Sequence, residues 1–315
     1  MANKIAPHIG YSLLVVSIVG CSSFNQTVDQ VAVRKPGYRT LDDPIDNKKL
    51  AAYHWQYAWL ADAAYNDVVN QQDKNECKAT SAYKVLTTHG WRKWDDFPTP
   101  NGRLYKKMID SHLRAEVWEN REKKKIVVAF GGTDLKSVKD WKANLRWLTF
   151  KVDDEYTQLV RDFAPAFQLE YLSRAQTDQQ RWLQNATLIS TGHSLGGGLA
   201  QQFAYALPLN PQRLRVTQVF AFNPSPVTGF YSVNNKTREE NRKGLKIERI
   251  YERGEILAIL RSFTSLLVKP SEKDPTIKGV RYNFLISGNW FKNHSMHNFA
   301  CAISKAAGVK LSNLP

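Results

Sequence analysis

Apolar positions along the chain fall into two kinds of run. Leu50 to Tyr65 is rich in alanine and aromatic residues, has few breakers, and predicts a helix. Its Tyr53, Trp55, Tyr57, Trp59 and Tyr65 are expected in the core rather than in a ligand box. Residues 70–81 are polar and predict a loop. Ala115 to Glu119 predicts a strand, followed by a charged turn from Arg121 to Lys125. Ile126 to Phe130 is an unbroken apolar run, as a strand buried on both faces requires, and it stops at Gly131-Gly132. Val160, Phe163, Phe167 and Tyr171 then recur at helical spacing, with Pro165 expected to kink the helix. Further on, Ala186–Thr191 predicts a strand, Leu195–Leu207 a helix, Val216–Phe222 a strand, 225–246 a polar insertion and Ile247–Tyr251 a strand. Strands alternating with helices imply βαβ units and a mainly parallel sheet, an α/β fold in one large domain.

The first twenty residues break this pattern. They carry one basic residue, Lys4, no acidic one, and an apolar run from Tyr11 to Val19. That run is shorter than the roughly 20 apolar residues that cross a bilayer, and it suits a signal peptide. It ends Ile18-Val19-Gly20-Cys21-Ser22, which resembles the lipobox of bacterial lipoproteins, whose cysteine is lipidated and becomes the new N-terminus. The alternative is an ordinary signal peptide with a cysteine near its end. The resemblance implies a signal peptide over 1–20 and a lipidated N-terminus and polar tether over 21–46, which leaves 47–315 as the folded domain. Serine after the cysteine favours the outer membrane of a bacterial envelope. Cys77 and Cys301 then remain, either as a disulfide or as two buried thiols.

Composition narrows the partners. The chain has 315 residues and a net charge of +15, and removal of residues 1–20 takes away only Lys4. The basic residues are dispersed, and no basic face interleaved with aromatics or named nucleic-acid motif is present, so nucleic acid is not an expected partner. A positive surface beside an anionic membrane is the simpler account. Nothing in the sequence points to a protein partner.

The chemistry concentrates at Gly192-His193-Ser194-Leu195-Gly196, a G-x-S-x-G pattern with a predicted strand before it and a helix after it. That is the context of a nucleophile elbow, in which a tight strand-to-helix turn lifts the serine hydroxyl above the sheet and aims a helix N-terminus at it. With Val128-Ala129-Phe130-Gly131-Gly132-Thr133-Asp134 upstream and Asp140-Trp141 just after, the chain resembles the class 3 lipase family over about residues 50–305. The resemblance implies a fungal-lipase-like α/β-hydrolase fold and a serine hydrolase acting on lipid esters without a cofactor. It makes Thr133 the oxyanion-loop residue, its amide paired with that of Leu195; an ordinary turn is the other reading of Thr133. Gly131 stands where the family usually has arginine. Residues Asp134 to Phe150 lie where such lipases carry a lid, although Trp141 and Trp147 also suit a core.

A triad on this fold runs in the order serine, acid, histidine. Similar enzymes carry an acid just past a late strand and before an apolar pair. Glu255, before Ile256-Leu257, fits this, with glutamate in place of the family's more usual aspartate and Glu252 as its rival. Of seven histidines, His8 lies in the signal peptide, His193 adjoins the nucleophile and is expected to point elsewhere, and His54, His89 and His112 precede Ser194. His294 and His297 remain. The base belongs on the loop before a helix, and His294-Ser295-Met296 resembles the family's ending, so His294 is favoured and His297 is read as a packing or surface histidine. No cysteine or carboxylate cluster accompanies the pair to suggest a metal. The competing functions are a small-ester or thioester hydrolase and a non-catalytic envelope scaffold that keeps the fold.

Overall fold

Strand alternation sets the layers. In a computed structural model, residues 30–34, 46–65, 80–132, 154–226, 228–254, 274–285 and 294–311 are described. In chain order the elements are β1 (Gln30–Arg34), α1 (Asn47–Ala63), α2 (Ala82–Thr88), β2 (Arg92–Lys93), α3 (Arg103–Asp110), β3 (Ala115–Asn120) and β4 (Lys125–Phe130). They continue with α4 (Asp154–Gln158), α5 (Ala164–Gln176), β5 (Thr187–His193), α6 (Leu195–Ala206), β6 (Gln218–Phe222), α7 (Asn235–Asn241), β7 (Lys246–Glu252), β8 (Thr276–Asn283) and α8 (Met296–Ala306). The strands form one eight-stranded sheet in the order β1-β8-β7-β6-β5-β4-β3-β2. Strands β4 to β8 are mutually parallel, and the edges are antiparallel. This is the predicted α/β architecture, a mainly parallel sheet flanked by helices.

The continuous apolar strands serve both faces. Ile126, Val128 and Phe130 of β4 join the core beneath α5 and α6, while Val127 and Ala129 join the core beneath α1 and α8. Phe220 and Phe222 of β6 turn to the α1 side, where Tyr57 stacks on Phe220 with ring centroids 4.0 Å apart. Of the aromatics expected in the core of α1, Trp55, Tyr57 and Trp59 are buried there; Tyr53 is half exposed, and Tyr65 reaches another place described below. Burial of one such side chain contributes roughly 1.5–3 kcal/mol.

Four segments depart from the sequence reading. At Pro165, where the sequence predicts a kink, the helix is preceded by a π-helical stretch, Leu159–Phe163, where the Ala164 N–H donates to the Leu159 carbonyl. Proline has no N–H to give, and one turn widened to i−5 bonding lets the helix run on into α5. The polar insertion at 225–246 is partly ordered as α7, whose N-terminus is capped by the Asn234 side chain accepting from the Lys236 and Thr237 amides. The span read as a tether supplies β1, paired antiparallel with β8. Its Gln-Val-Ala-Val-Arg has the alternation of a strand, but five residues signal little without their partner. Likewise β8, Thr-Ile-Lys-Gly-Val-Arg-Tyr-Asn, is too polar to read as a buried strand by itself. Cys301 is disulfide-bonded; Cys21 and Cys77, like residues 1–20 and 70–79, lie outside the described residues.

Candidate active site

Because β4 to β8 run in parallel, the chain leaves each of them at the same edge, and the residues just past those strands gather there. Ser194 follows β5 with φ 56° and ψ −123°, a backbone conformation that L-residues seldom adopt and that costs about 1–3 kcal/mol. Its surroundings enforce it. The Ser194 N–H donates to the Phe222 carbonyl (3.0 Å), and its own carbonyl accepts from the amides of Gly197 (3.0 Å) and Ser225 (2.9 Å). The flanking glycines are needed for closeness. A Cβ on Gly196 would collide with the Phe130 carbonyl at the end of β4, and one on Gly192 with the backbone of Gly196. The elbow is therefore a packed crossing of β4, β5 and α6, and Ser194 is only 8% exposed.

His294 enters from the other side of the chain. It sits just before Ser295, whose hydroxyl caps α8 by accepting from the Asn298 amide. Its ring Nε2 lies 3.1 Å from Ser194 Oγ, within hydrogen-bond reach across 100 residues of sequence. His297, the second residue of α8, goes elsewhere: its Nδ1 meets Asp62 Oδ2 at 2.8 Å and its ring stands edge-on to Trp59. Two of the earlier histidines, His54 and His89, are occupied in the scaffold. Nδ1 of His54 bonds to the Tyr282 hydroxyl (2.7 Å) and Nε2 to Glu248 (3.0 Å), a fully buried tie between α1 and the sheet. Burial lowers the His54 pKa against the opposing pull of Glu248. His89 bonds to the Val85 carbonyl.

His193 corrects an expectation. It does not point away from the site; its ring lies 4.6 Å from that of His294, centroid to centroid. Its Nδ1 is 2.8 Å from the hydroxyl of Tyr65, which also donates to the His193 carbonyl (3.2 Å). Tyr65 thus packs against the core and also belongs to the site. Periodicity treats every aromatic of α1 alike, and only its place at the helix end, beside the exit edge of the sheet, distinguishes it.

The oxyanion side is partly described. Leu195 opens α6, and the first amides of a helix have no intrahelical acceptor. Gly132 lies against both the Leu195 nitrogen and the Tyr65 hydroxyl, so the strand-to-loop passage out of β4 runs beside that amide. The glycine at 131 has a physical reason: a Cβ there would strike the Ala64 carbonyl at the end of α1. Thr133 and the lid span 134–150 lie outside the described residues.

Glu255 also lies outside them, whereas its rival Glu252 and the later Asp274 are described. Glu252 ends β7 with Oε1 accepting from the amides of Phe284 and Leu285, both at 2.9 Å. Burial pushes its carboxyl up to about 7, against the lowering effect of backbone donors at Leu285, Phe284 and Arg253. Asp274 precedes β8 at the opposite edge of the sheet, where its carbonyl accepts from Arg242 (2.7 Å). Among the described residues no group of histidine, cysteine and carboxylate side chains could hold a metal ion.

Residues 56–210 match the family model of the Tle-like phospholipase domain. The match runs from α1 through the elbow and ends before His294. It marks the chain as a lipase- or phospholipase-like hydrolase. No curated protein matches in sequence. Among solved structures, the lipase of Rhizopus microsporus var. chinensis is 17% identical with a TM-score of 0.43, covering 84% of this chain and 89% of that one. Lipase II from Rhizopus niveus is 16% identical with a TM-score of 0.38, covering 74% and 79%. Lip2 lipase from Yarrowia lipolytica is 16% identical with a TM-score of 0.40, covering 66% and 73%.

Proposed function

We propose that this chain is a membrane-anchored serine hydrolase that cleaves carboxylic ester bonds of lipids, phospholipids foremost. The observation that carries the reading is the 3.1 Å approach of His294 Nε2 to Ser194 Oγ on a strained elbow. In this mechanism His294 takes the proton from Ser194 as the hydroxyl attacks the ester carbonyl. The tetrahedral oxyanion is held by the amides of Leu195 and Thr133. The imidazolium then protonates the leaving alcohol, and water, activated by the same histidine, releases the acid from the acyl-enzyme. Glu255 holds His294 in the tautomer that leaves Nε2 free to accept and stabilises its charged form. No step calls for a cofactor. The phospholipase-like domain and the basic charge support a lipid with an anionic headgroup over a soluble ester.

The test is a fluorophosphonate probe on the purified protein. Labelling at Ser194, lost after acid denaturation and absent from Ser194→Ala, is expected. A folded protein that leaves the probe untouched points to a scaffold that kept the fold without the chemistry. Parallel assays on phospholipid vesicles and on short-chain esters and thioesters separate the substrate classes.

Anchoring through Cys21 to the outer membrane belongs to the same proposal. No helix among the described residues is long and apolar enough to cross a membrane. Cys21→Ser is expected to leave the precursor unprocessed by the lipoprotein route and to shift the protein out of the carbonate-washed membrane fraction. Retention of Cys21→Ser in that fraction would speak against lipidation there.

A further inference from the structure

Glu252 is buried at the site's edge, and the mechanism above gives it no task. It is the last residue of β7 and only 1% exposed. Its backbone N–H donates to Asn223 Oδ1 (2.9 Å), and Asn223 in turn donates its own N–H to the Ile250 carbonyl (2.7 Å). Asn223 directly follows Phe222, the residue whose carbonyl holds the Ser194 amide. On the other side, Glu252 Oε1 takes two successive amides, Phe284 and Leu285. These amides have no strand to pair with. The ladder of β8 to β7 ends at Tyr282 opposite Glu252, and that of β8 to β1 ends at Asn283 opposite Gln30. Half-buried amides beyond a ladder still need an acceptor, and Glu252 supplies one oxygen for both. Two consecutive N–H groups converging on one oxygen fix the backbone of Phe284 and Leu285 just past β8, with Leu285 nine positions before His294 in sequence.

The same residue thus ties the frame of the nucleophile, through Asn223 and Phe222, to the frame of the base, through Phe284 and Leu285. We propose that Glu252 is a positioning residue for His294, acting through the backbone at Phe284–Leu285. The proposal rests on the reading of Ser194 and His294 as nucleophile and base. Glu252 touches neither substrate nor the reacting atoms. Its role is to keep Nε2 at bonding distance from Ser194, where a displacement of about 1 Å costs on the order of a hundredfold in rate. The acceptor oxygen matters here, not the charge. Glu252 Oε2 has no hydrogen-bond partner among the described residues, so the second oxygen contributes no contact that an amide group would forfeit.

The experiment compares Glu252→Gln with Glu252→Met. Glutamine keeps an oxygen at the Oε1 position. Methionine fills the same volume without an acceptor and removes a half-paired buried carboxylate, so it is expected to fold. For each variant, kcat and KM on a chromogenic acyl ester are measured per active site titrated with fluorophosphonate, alongside the unfolding midpoint. Glu252→Met is expected to lose on the order of tenfold or more in kcat with KM within about twofold, whatever its midpoint does. Glu252→Gln is expected to stay within about threefold of the parent kcat. A purely structural role would move the midpoint and the titratable fraction but leave kcat per site unchanged, and that result overturns the proposal. So does a Glu252→Gln variant that loses tenfold or more, which settles the matter even if Glu252→Met does not fold. If the parent protein neither labels nor hydrolyses, the failure lies in the functional reading instead.

Discussion

Ser194→Ala is expected to abolish ester hydrolysis and fluorophosphonate labelling while the protein remains folded. The loss should reach the order of a millionfold in kcat where the parent is efficient, because a residual rate is left only to the oxyanion donors and to binding. The fold should survive for a specific reason. Ser194 is buried, not lifted onto an exposed turn, but the bonds that hold the elbow are made by its backbone, to Phe222, Gly197 and Ser225. Alanine keeps all of them and bears the same strained φ of 56°. The substitution removes one side-chain hydrogen bond, to His294, worth about 1 kcal/mol. The check is a far-UV spectrum and an unfolding midpoint beside the turnover assay. Turnover by Ser194→Ala at the parent rate would remove the basis of the serine mechanism.

The second large effect concerns the base and its acid. His294→Ala should lower kcat by a thousandfold or more, because no other described histidine bonds to Ser194 Oγ. His193 is near enough to tempt substitution for it, yet its Nδ1 is engaged by Tyr65 and it sits on the elbow itself. Glu255→Gln should keep the size of the side chain while favouring the wrong tautomer of His294, with a loss of similar order. Since members of a triad act as one unit, Glu255→Gln combined with His294→Ala should be little worse than His294→Ala alone. His297→Ala should retain most activity, because that ring is held by Asp62 and Trp59 and not by the nucleophile. Multiplicative losses in the double variant, or a full rate in Glu255→Gln, would show that another group orients the histidine.

What could be read in advance was local. The continuous run Ile126–Phe130, the glycines around Ser194 and the helix after it belong to contiguous sequence, so the strand, the elbow and the start of α6 were visible as pattern. The two-sided burial of β4 follows from the same run, since a strand with no polar alternation must be covered on both faces. Elements with weak local signals escaped: β1 is held by β8, β8 by β1 and β7 on its two sides, and α7 by its Asn234 cap and by Asn241 reaching the carbonyls of Tyr205 and Leu207.

The sequence by itself determined the nucleophile's setting, the parallel α/β architecture and the short list of histidines able to serve it. Only the tertiary structure decided which of the two late histidines meets Ser194, because His294 and His297 differ by less than one helical turn in sequence yet face different partners. It also decided that Tyr65 and His193 belong to the site, that Gly131 has no room for a side chain, and that Glu252 is committed to two backbone amides. Each of these depends on what is brought opposite a residue from a distant segment. Hydrophobic periodicity reports which face of an element is buried, and carries no information about the partner that buries it.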